Sequence, residues 1–347
     1  MLLTHILIIK IMSREPQELT RIAKKSYGES ISDGFRLFGK NWSKIIGPFT
    51  LFYVIYLLLK IFLLADLNWQ GYVLGDIIGA IDPSNLTETD IAQLINILLF
   101  GLSVIFIDSI IYALFTALAM SSVSIYLYKK YLNLDTDFVQ DIKKSFNSKL
   151  FVVLIILGLG VPLGLLFLLI PGIIIFGRYI CSVFTYQFEN IEKPLKQVRL
   201  ITKGALWKII GVFVISSLII SVISMIYGLF LNLVWHVDAF TLASWYNPAS
   251  RRYDMLFLNE LLNNLVRIIL GPLFICLLTT LFTSLKVRYD LGYRRGYYQV
   301  ITESNRTAEV QVQPEHADSG LYCPVCGYHM GFKFKFCPNC GESLDFF

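Results

Sequence analysis

The sequence predicts an all-α integral membrane helical bundle of about six transmembrane helices with amphipathic interfacial helices, plus a small β zinc ribbon at the C-terminus. Three observations lead there. Hydrophobic residues make up 55% of the 347 residues and charged residues only 16%, with a mean hydropathy of +0.62, outside the soluble range, so the bilayer is the expected solvent. The apolar residues gather in runs close to the roughly 20 residues that cross about 30 Å of hydrocarbon. Four of the six cysteines fall in the last 25 residues, at the spacing of paired metal knuckles.

The net charge of +5 is modest, and Lys and Arg form short clusters beside apolar runs. That distribution suits anionic lipid headgroups and offers no extended basic surface for nucleic acid. Residues 1–12 are apolar, with no basic residue ahead of the hydrophobic part and no small-residue cleavage site, which argues against a signal peptide. Met12, followed by Ser13-Arg14-Glu15-Pro16, is an alternative start.

Spans are expected near 45–65, 91–127, 150–170, 172–188, 209–235 and 265–285. The second run is about 37 residues long, too long for one ordinary span and short for two with a loop. Parity decides. With six spans, Lys129, Lys130, Lys143, Lys144 and Lys149 share a side with Lys193, Lys196, Arg199, Lys203 and Lys208. The opposite side is poor in cations: the loop 66–90 and the Pro171-Gly172 turn have none, and the loop after Trp235 has only Arg251 and Arg252. Splitting the second run would move five lysines outside, against the positive-inside bias. It therefore reads as one long helix that, at about 1.5 Å per residue, passes the headgroups into the cytosol. The fourth run is short, and Pro162, Pro171 and Gly172 leave a re-entrant hairpin open. Either version places the chain in the cell membrane with both termini cytoplasmic.

Each odd-numbered span follows a basic amphipathic stretch. Ile31, Phe35, Phe38 and Trp42 share one helical face, with Arg36, Lys40 and Lys44 on another. Phe138, Ile142 and Phe146, beside Lys143 and Lys144, repeat this before the third span. Before the fifth, Pro194 suits a first helical turn, Leu195, Val198 and Ile201 form the apolar face, and Lys196, Arg199 and Lys203 the basic one. Lys44-Ile45-Ile46-Gly47 recurs as Lys208-Ile209-Ile210-Gly211, with Trp42 and Trp207 just ahead. Either the chain repeats one unit three times, an interfacial helix with an outward and a returning span, or these are separate cytosolic loops, each basic and amphipathic at a membrane surface.

The run from Pro171-Gly172 through Arg178, the segment 188–193, and Ala205-Leu206-Trp207-Lys208-Ile209-Ile210 carry a family likeness. Together they resemble the six-helix membrane domain attached to some glycerophosphoryl diester phosphodiesterases and its stand-alone relatives of unassigned function. The resemblance covers roughly residues 28–300. Catalysis in those phosphodiesterases belongs to a separate soluble barrel, for which this chain has no room, so the resemblance implies a fold and no activity.

Cys323-Pro324-Val325-Cys326-Gly327 and Cys337-Pro338-Asn339-Cys340-Gly341 are two CPxCG knuckles with ten residues between the inner cysteines. Four thiolates at that spacing converge on one tetrahedral ion, and each Gly permits the tight turn around the sulfurs. Between the knuckles, Phe332, Phe334 and Phe336 alternate with Lys333 and Lys335, a period-two strand. The 27 residues of the ribbon bury too little to fold alone, so one structural zinc ion would supply much of the folding free energy. Iron in a rubredoxin-like knuckle is the alternative metal. His329 is expected as an exposed hairpin residue rather than a ligand. Four cysteine ligands leave no open position for catalysis, and a reducing cytosol keeps the thiols free.

The domain plan is thus an N-terminal extension, partly disordered, over residues 1–27, a membrane domain over 28–300, a flexible linker over 301–320 and the ribbon over 321–347. Such a linker reaches on the order of 25 Å. Tyr289, Tyr293, Arg294, Arg295, Tyr297 and Tyr298 are expected to anchor the interface.

Within the spans, Asp108 and Arg178 are the charged candidates, since an ionisable group in hydrocarbon is opposed by at least a few kcal/mol. They are expected to pair, either as a bundle-fixing bridge or on a substrate or proton path. Lys60 and Arg267 lie close enough to span ends to snorkel, and Asn263 and Asn264, just before the sixth span, either hydrogen-bond between helices or sit at the outer interface. Asn85-Leu86-Thr87 is a glycosylation triplet in the outer loop, and His236 stands at an outer helix end. No HExxH, GxSxG or phosphate-loop motif is present, so no enzyme is expected. The expected function is a non-enzymatic scaffold or regulator that recruits anionic lipid or, through its ribbon, a cytosolic protein. The alternatives are a small permease using Asp108 and Arg178, and a lipid-handling membrane protein. Oligomeric state is left open.

Overall fold

The computed structural model describes residues 16–80, 87–167, 169–188, 193–306, 321–322 and 329–330. The four ribbon cysteines and the expected strand around Phe334 lie outside the described residues.

The described chain is mostly helical, with one two-stranded pairing. Helix α1 (Pro16–Lys24) leads into α2 (Tyr27–Ala80), and α3 (Glu88–Tyr131) returns antiparallel to it. A short α4 (Phe138–Ser145) precedes α5 (Leu150–Phe167), which contains a π turn over Ile155–Gly160. Helices α6 (Leu169–Tyr179) and α7 (Ser182–Thr185) bring the chain back. Then come α8 (Pro194–Ile201), α9 (Leu206–Val234), α10 (Ala239–Tyr246), α11 (Tyr253–Asn263), α12 (Leu265–Leu270) and α13 (Pro272–Arg306). Strands β1 (Leu321–Tyr322) and β2 (His329–Met330) pair antiparallel, Leu321 opposite Met330 and Tyr322 opposite His329.

Five helices are long and apolar enough to cross a membrane, and the returning segment Leu169–Thr185 is a shorter apolar one. Their outward faces are what a lipid solvent requires. Ile95, Leu98, Leu99 and Ile105 on α3 are 52 to 64% exposed, and Leu229, Phe230, Leu233 and Val234 on α9 are 62 to 85% exposed. Contiguous apolar surface of that extent is not sustained in water.

Several expected boundaries move. Residues 66–80 are the continuation of α2, not a loop, so at about 1.5 Å per residue the 54-residue helix is roughly 80 Å long. The stretch after Trp235 is also not a loop. Helices α10 and α11 fold back on α2 there, burying Ile61, Ala65, Trp245, Tyr246 and Leu256 together. The Asp238 side chain caps α10 by accepting the Thr241 N–H at 2.6 Å, which holds its carboxyl below the usual range. Residues 16–24 of the extension expected to be partly disordered are helical, and α13 runs six residues into the expected linker, to Arg306.

Local chemistry explains where the long helices begin. The Ser26 N–H donates to Glu29 Oε2 at 2.7 Å and the Glu29 N–H to Ser26 Oγ at 3.2 Å, a capping box at the head of α2. Thr87 and Asp90 form the same device at the head of α3. The π turn of α5 lies just ahead of Pro162, whose missing N–H leaves Gly158 without its usual partner. Beyond it, Gly164 and Gly172 bring α5 and α6 together: a Cβ on Gly164 would lie 2.8 Å from the Gly172 Cα. The hairpin is therefore closed, and α7 ends beside the beginning of α5.

The helix contacts recur in a cycle. Each outward helix pairs with its return: α2 with α3, α5 with α6, and α9 with α12 and α13. Each amphipathic element packs on the return of the preceding unit: α4 on α3, α8 on α6 and α7, and the start of α2 on α13. Three units thus close on themselves in one orientation. They differ in detail. The first amphipathic stretch is continuous with its outward helix, and the third return is interrupted by α10, α11 and the break at Gly271.

Candidate functional site

Two polar clusters lie within the bundle. The first joins α2, α3, α11 and α12. Tyr53, Tyr56 and Lys60 recur at spacings of three and four on α2, and Glu260, Asn264 and Arg267 at four and three on the other side. The first stripe therefore occupies one face of α2, while the second runs from the end of α11 through the turn at Asn264 into α12. Tyr56 donates to Asp108 Oδ1 at 2.9 Å, Tyr53 to Asn264 Oδ1 at 2.9 Å, and Lys60 Nζ to Glu260 Oε1 at 2.9 Å. Asn264 Nδ2 donates to Glu260 Oε2 at 3.2 Å and Arg267 to Asn264 Oδ1 at 3.4 Å. The rings of Tyr53, Tyr56 and Tyr112 meet edge to face with centroids 5.4 to 6.3 Å apart.

This arrangement corrects two expectations. Asp108 does not meet Arg178. Its partner is a tyrosine hydroxyl, whereas Arg178 is exposed at the last turn of α6 and forms no ion pair among the described residues. The Arg178 backbone carbonyl is what the fold uses, accepting from Thr202 at 3.4 Å. Lys60 does not snorkel; it pairs across the bundle. Of the two readings for Asn264, hydrogen bonding between helices is the one seen: it joins Tyr53 of α2 to Glu260 of α11. Arg267, Asn263 and His236 bond to neighbours on their own segments.

The Lys60–Glu260 bridge is testable as a pair. Its side chains are 21% and 17% exposed, so water screens it in part. Either Lys60→Met or Glu260→Gln is expected to lower stability by about 1–2 kcal/mol, less than a fully buried pair. The double variant is expected to cost less than the sum, read from thermal unfolding in detergent. Strictly additive singles would remove the bridge from this account.

The second cluster sits where the three returns converge. Gln187 donates to the Ser121 carbonyl at 2.9 Å, Ser124 Oγ at 2.7 Å and Tyr186 Oη at 3.0 Å, and accepts from Ser145 Oγ at 3.2 Å. Phe184 of α7 stacks on Phe282 of α13 with centroids 4.6 Å apart and planes 8° apart, and Tyr128 of α3 and Phe188 close the group. Buried Asp141 of α4 pairs with Lys129 of α3 at 2.5 Å.

Here the repeat is clearest, and the sequence reading missed it. The segments Ser121-Ser122-Val123-Ser124-Ile125-Tyr126-Leu127-Tyr128, Cys181-Ser182-Val183-Phe184-Thr185-Tyr186-Gln187-Phe188 and Thr279-Thr280-Leu281-Phe282-Thr283-Ser284-Leu285-Lys286 align without a gap. Phe184 and Phe282 are equivalent and stack. Tyr126 and Tyr186 are equivalent, donating to Asn41 Oδ1 and the Ser145 carbonyl of their own units' amphipathic elements at 3.1 and 2.8 Å. A hydroxyl followed by Val or Leu, then aromatics, was the visible signal.

Among the described residues no group of three or more His, Cys, Asp or Glu side chains is placed to hold a metal. Cys181 and Cys276 are buried and unpaired. The backbone that brackets Cys323 to Cys326 is described, and β1 and β2 bring its two sides together. The chain matches no protein-family model, no curated protein and no solved structure.

Proposed function

We propose that this chain is a non-enzymatic membrane scaffold or regulator of the cell membrane, with both termini cytoplasmic. Its bundle is a fixed frame, its basic end meets anionic headgroups, and its zinc ribbon docks a cytosolic protein. One observation carries this reading. Asp108, Lys60 and Glu260 among the apolar helices are bonded across helices, Asp108 to Tyr56 and Lys60 to Glu260. The alternative is a small permease with Asp108 and Arg178 as its binding charges; Asp108 is bonded to Tyr56, and Arg178 is exposed at the last turn of α6. The resemblance to the membrane domain of glycerophosphoryl diester phosphodiesterases likewise implies a frame without chemistry.

For the ribbon, support comes from the CPxCG spacing of the two cysteine pairs. Cys323, Cys326, Cys337 and Cys340 would hold one zinc ion, whose chemistry is structural because no coordination position stays open. Lysines at the ends of α3, α4 and α9 support a cytoplasmic basic end.

The test is affinity purification of the full chain from native membranes, with and without Cys323→Ser and Cys337→Ser. Specific cytosolic proteins are expected to be lost from the ribbon variants alone. The same partner list in all samples would sink the docking role.

A further inference from the structure

We infer that the cleft between α1 and the first turns of α2 binds a phosphate group, carried either on an anionic membrane lipid or on a soluble phosphate ester. The cleft has a volume of about 730 Å³ and is lined by Arg21, Lys24, Lys25 and Arg36, with Glu29 and Asp33 as its carboxylates. Four cations against two carboxylates leave an excess of two positive charges.

Both carboxylates are already committed. Glu29 is engaged in the capping box with Ser26. Asp33 is shared between Lys25 and Arg36, one oxygen each, and also accepts from Tyr131 Oη at 2.9 Å. Neither is free to neutralise Arg21 or Lys24, which are exposed and form no ion pair among the described residues. Arg36 is held by one guanidinium nitrogen and remains 65% exposed, so the rest of its donor fork is available. A guanidinium fork beside ammonium groups is the donor set that phosphate oxygens select.

The walls are held in place independently of any ligand. Leu19 and Ile22 anchor α1 in the main core. Arg288 of α13 donates to the Ala23 carbonyl at 2.5 Å and the Lys25 carbonyl at 2.8 Å, fastening the turn between α1 and α2. Such a site is preorganised, with little ordering left to oppose binding. It also lies at the lysine-rich end of the bundle, where a headgroup would meet it.

The inference rests on the basic-surface part of the function proposed above. Its test leaves the ribbon intact, so the two can fail separately. Full-length protein in non-ionic detergent is titrated with dioctanoyl phosphatidic acid, inorganic phosphate and dioctanoyl phosphatidylcholine, and binding is read by thermophoresis. Phosphatidic acid is expected to bind and phosphatidylcholine not to. Arg21→Gln/Lys24→Gln should weaken binding by on the order of tenfold or more with an unchanged unfolding temperature. Arg36→Gln is a second, independent variant expected to act in the same direction. Lys40→Gln/Lys44→Gln removes two exposed charges further along α2 and should leave affinity unchanged. Inorganic phosphate binding as tightly as the lipid would assign the site to a soluble ester, and lipid-only binding to a headgroup. Equal losses in the cleft and control variants, or no loss in either cleft variant, would overturn the site.

Discussion

Truncating Phe282 to alanine is expected to lower stability by about 3–5 kcal/mol, the range for a large aromatic removed from a close-packed interior. The side chain is fully buried and stacks on Phe184 at 4.6 Å, with Tyr128 and Phe188 within 6.2 and 6.5 Å. Those neighbours come from the returns of the first and second units and Phe282 from the third, so the cavity opens where the three units meet. Offset ring contacts add to the area term. Phe282→Leu refills most of the volume and should cost about 1–2 kcal/mol. Phe240→Ala, at a ring that is 84% exposed, should be nearly neutral in detergent. Thermal unfolding in one detergent ranks the three variants. A Phe282→Ala loss no larger than that of Phe240→Ala would show that the junction does not hold the units together.

Opposite signs are expected for two glycines five residues apart on α2. A Cβ on Gly34 would lie 2.6 Å from Leu277 Cδ2 and 2.8 Å from the Leu277 Cα. The second contact is backbone, which cannot rotate away, so α2 and α13 must separate. Gly34→Ala is therefore expected to cost about 1–3 kcal/mol. Gly39 has nothing within 4 Å of a built Cβ. Gly39→Ala should stabilise by up to about 1 kcal/mol, because alanine loses less backbone freedom in a helix. Unfolding curves with the same sign for both would contradict the close α2 to α13 crossing.

Much of this architecture is legible in the residues. Five of the six hydropathy runs fall in helices long enough to cross a membrane, the fourth falls in the shorter α6 and α7, and the long second run is one helix, α3. What the runs do not reveal is which solvent each turn faces. In α3, residues 120–128 are buried without interruption, three serines among them, while the preceding turns face outward. The awkward length of that run follows from this division: its first part faces lipid and its last part is protein core. The same holds for the apolar window of Leu265–Leu291, 67% buried against none of the α3 window. Hydropathy measures transfer out of water and is blind to whether lipid or protein receives the side chain.

The polar sites were legible in part for a related reason. Asp108 stands out because a carboxylate in an apolar run is costly wherever it points. Its partner could not be read, since an acidic group is satisfied equally by an arginine or by a tyrosine hydroxyl, and only the crossing of α2 with α3 selects Tyr56. Tyr53, Tyr56 and Lys60 at helical spacing were a visible stripe, but its complement, Glu260, Asn264 and Arg267, lies some 200 residues away.

The sequence by itself determined an apolar helical chain with clustered basic residues and two closely spaced cysteine pairs, because composition, charge clustering and cysteine spacing are local properties of the residues. The cyclic closure of three units, the buried fate of α13 and the tyrosine partner of Asp108 were decided only by the tertiary structure. Each depends on helix crossings set by close contacts such as Gly34 on Leu277 and Phe184 on Phe282, and those contacts join positions that no local pattern connects.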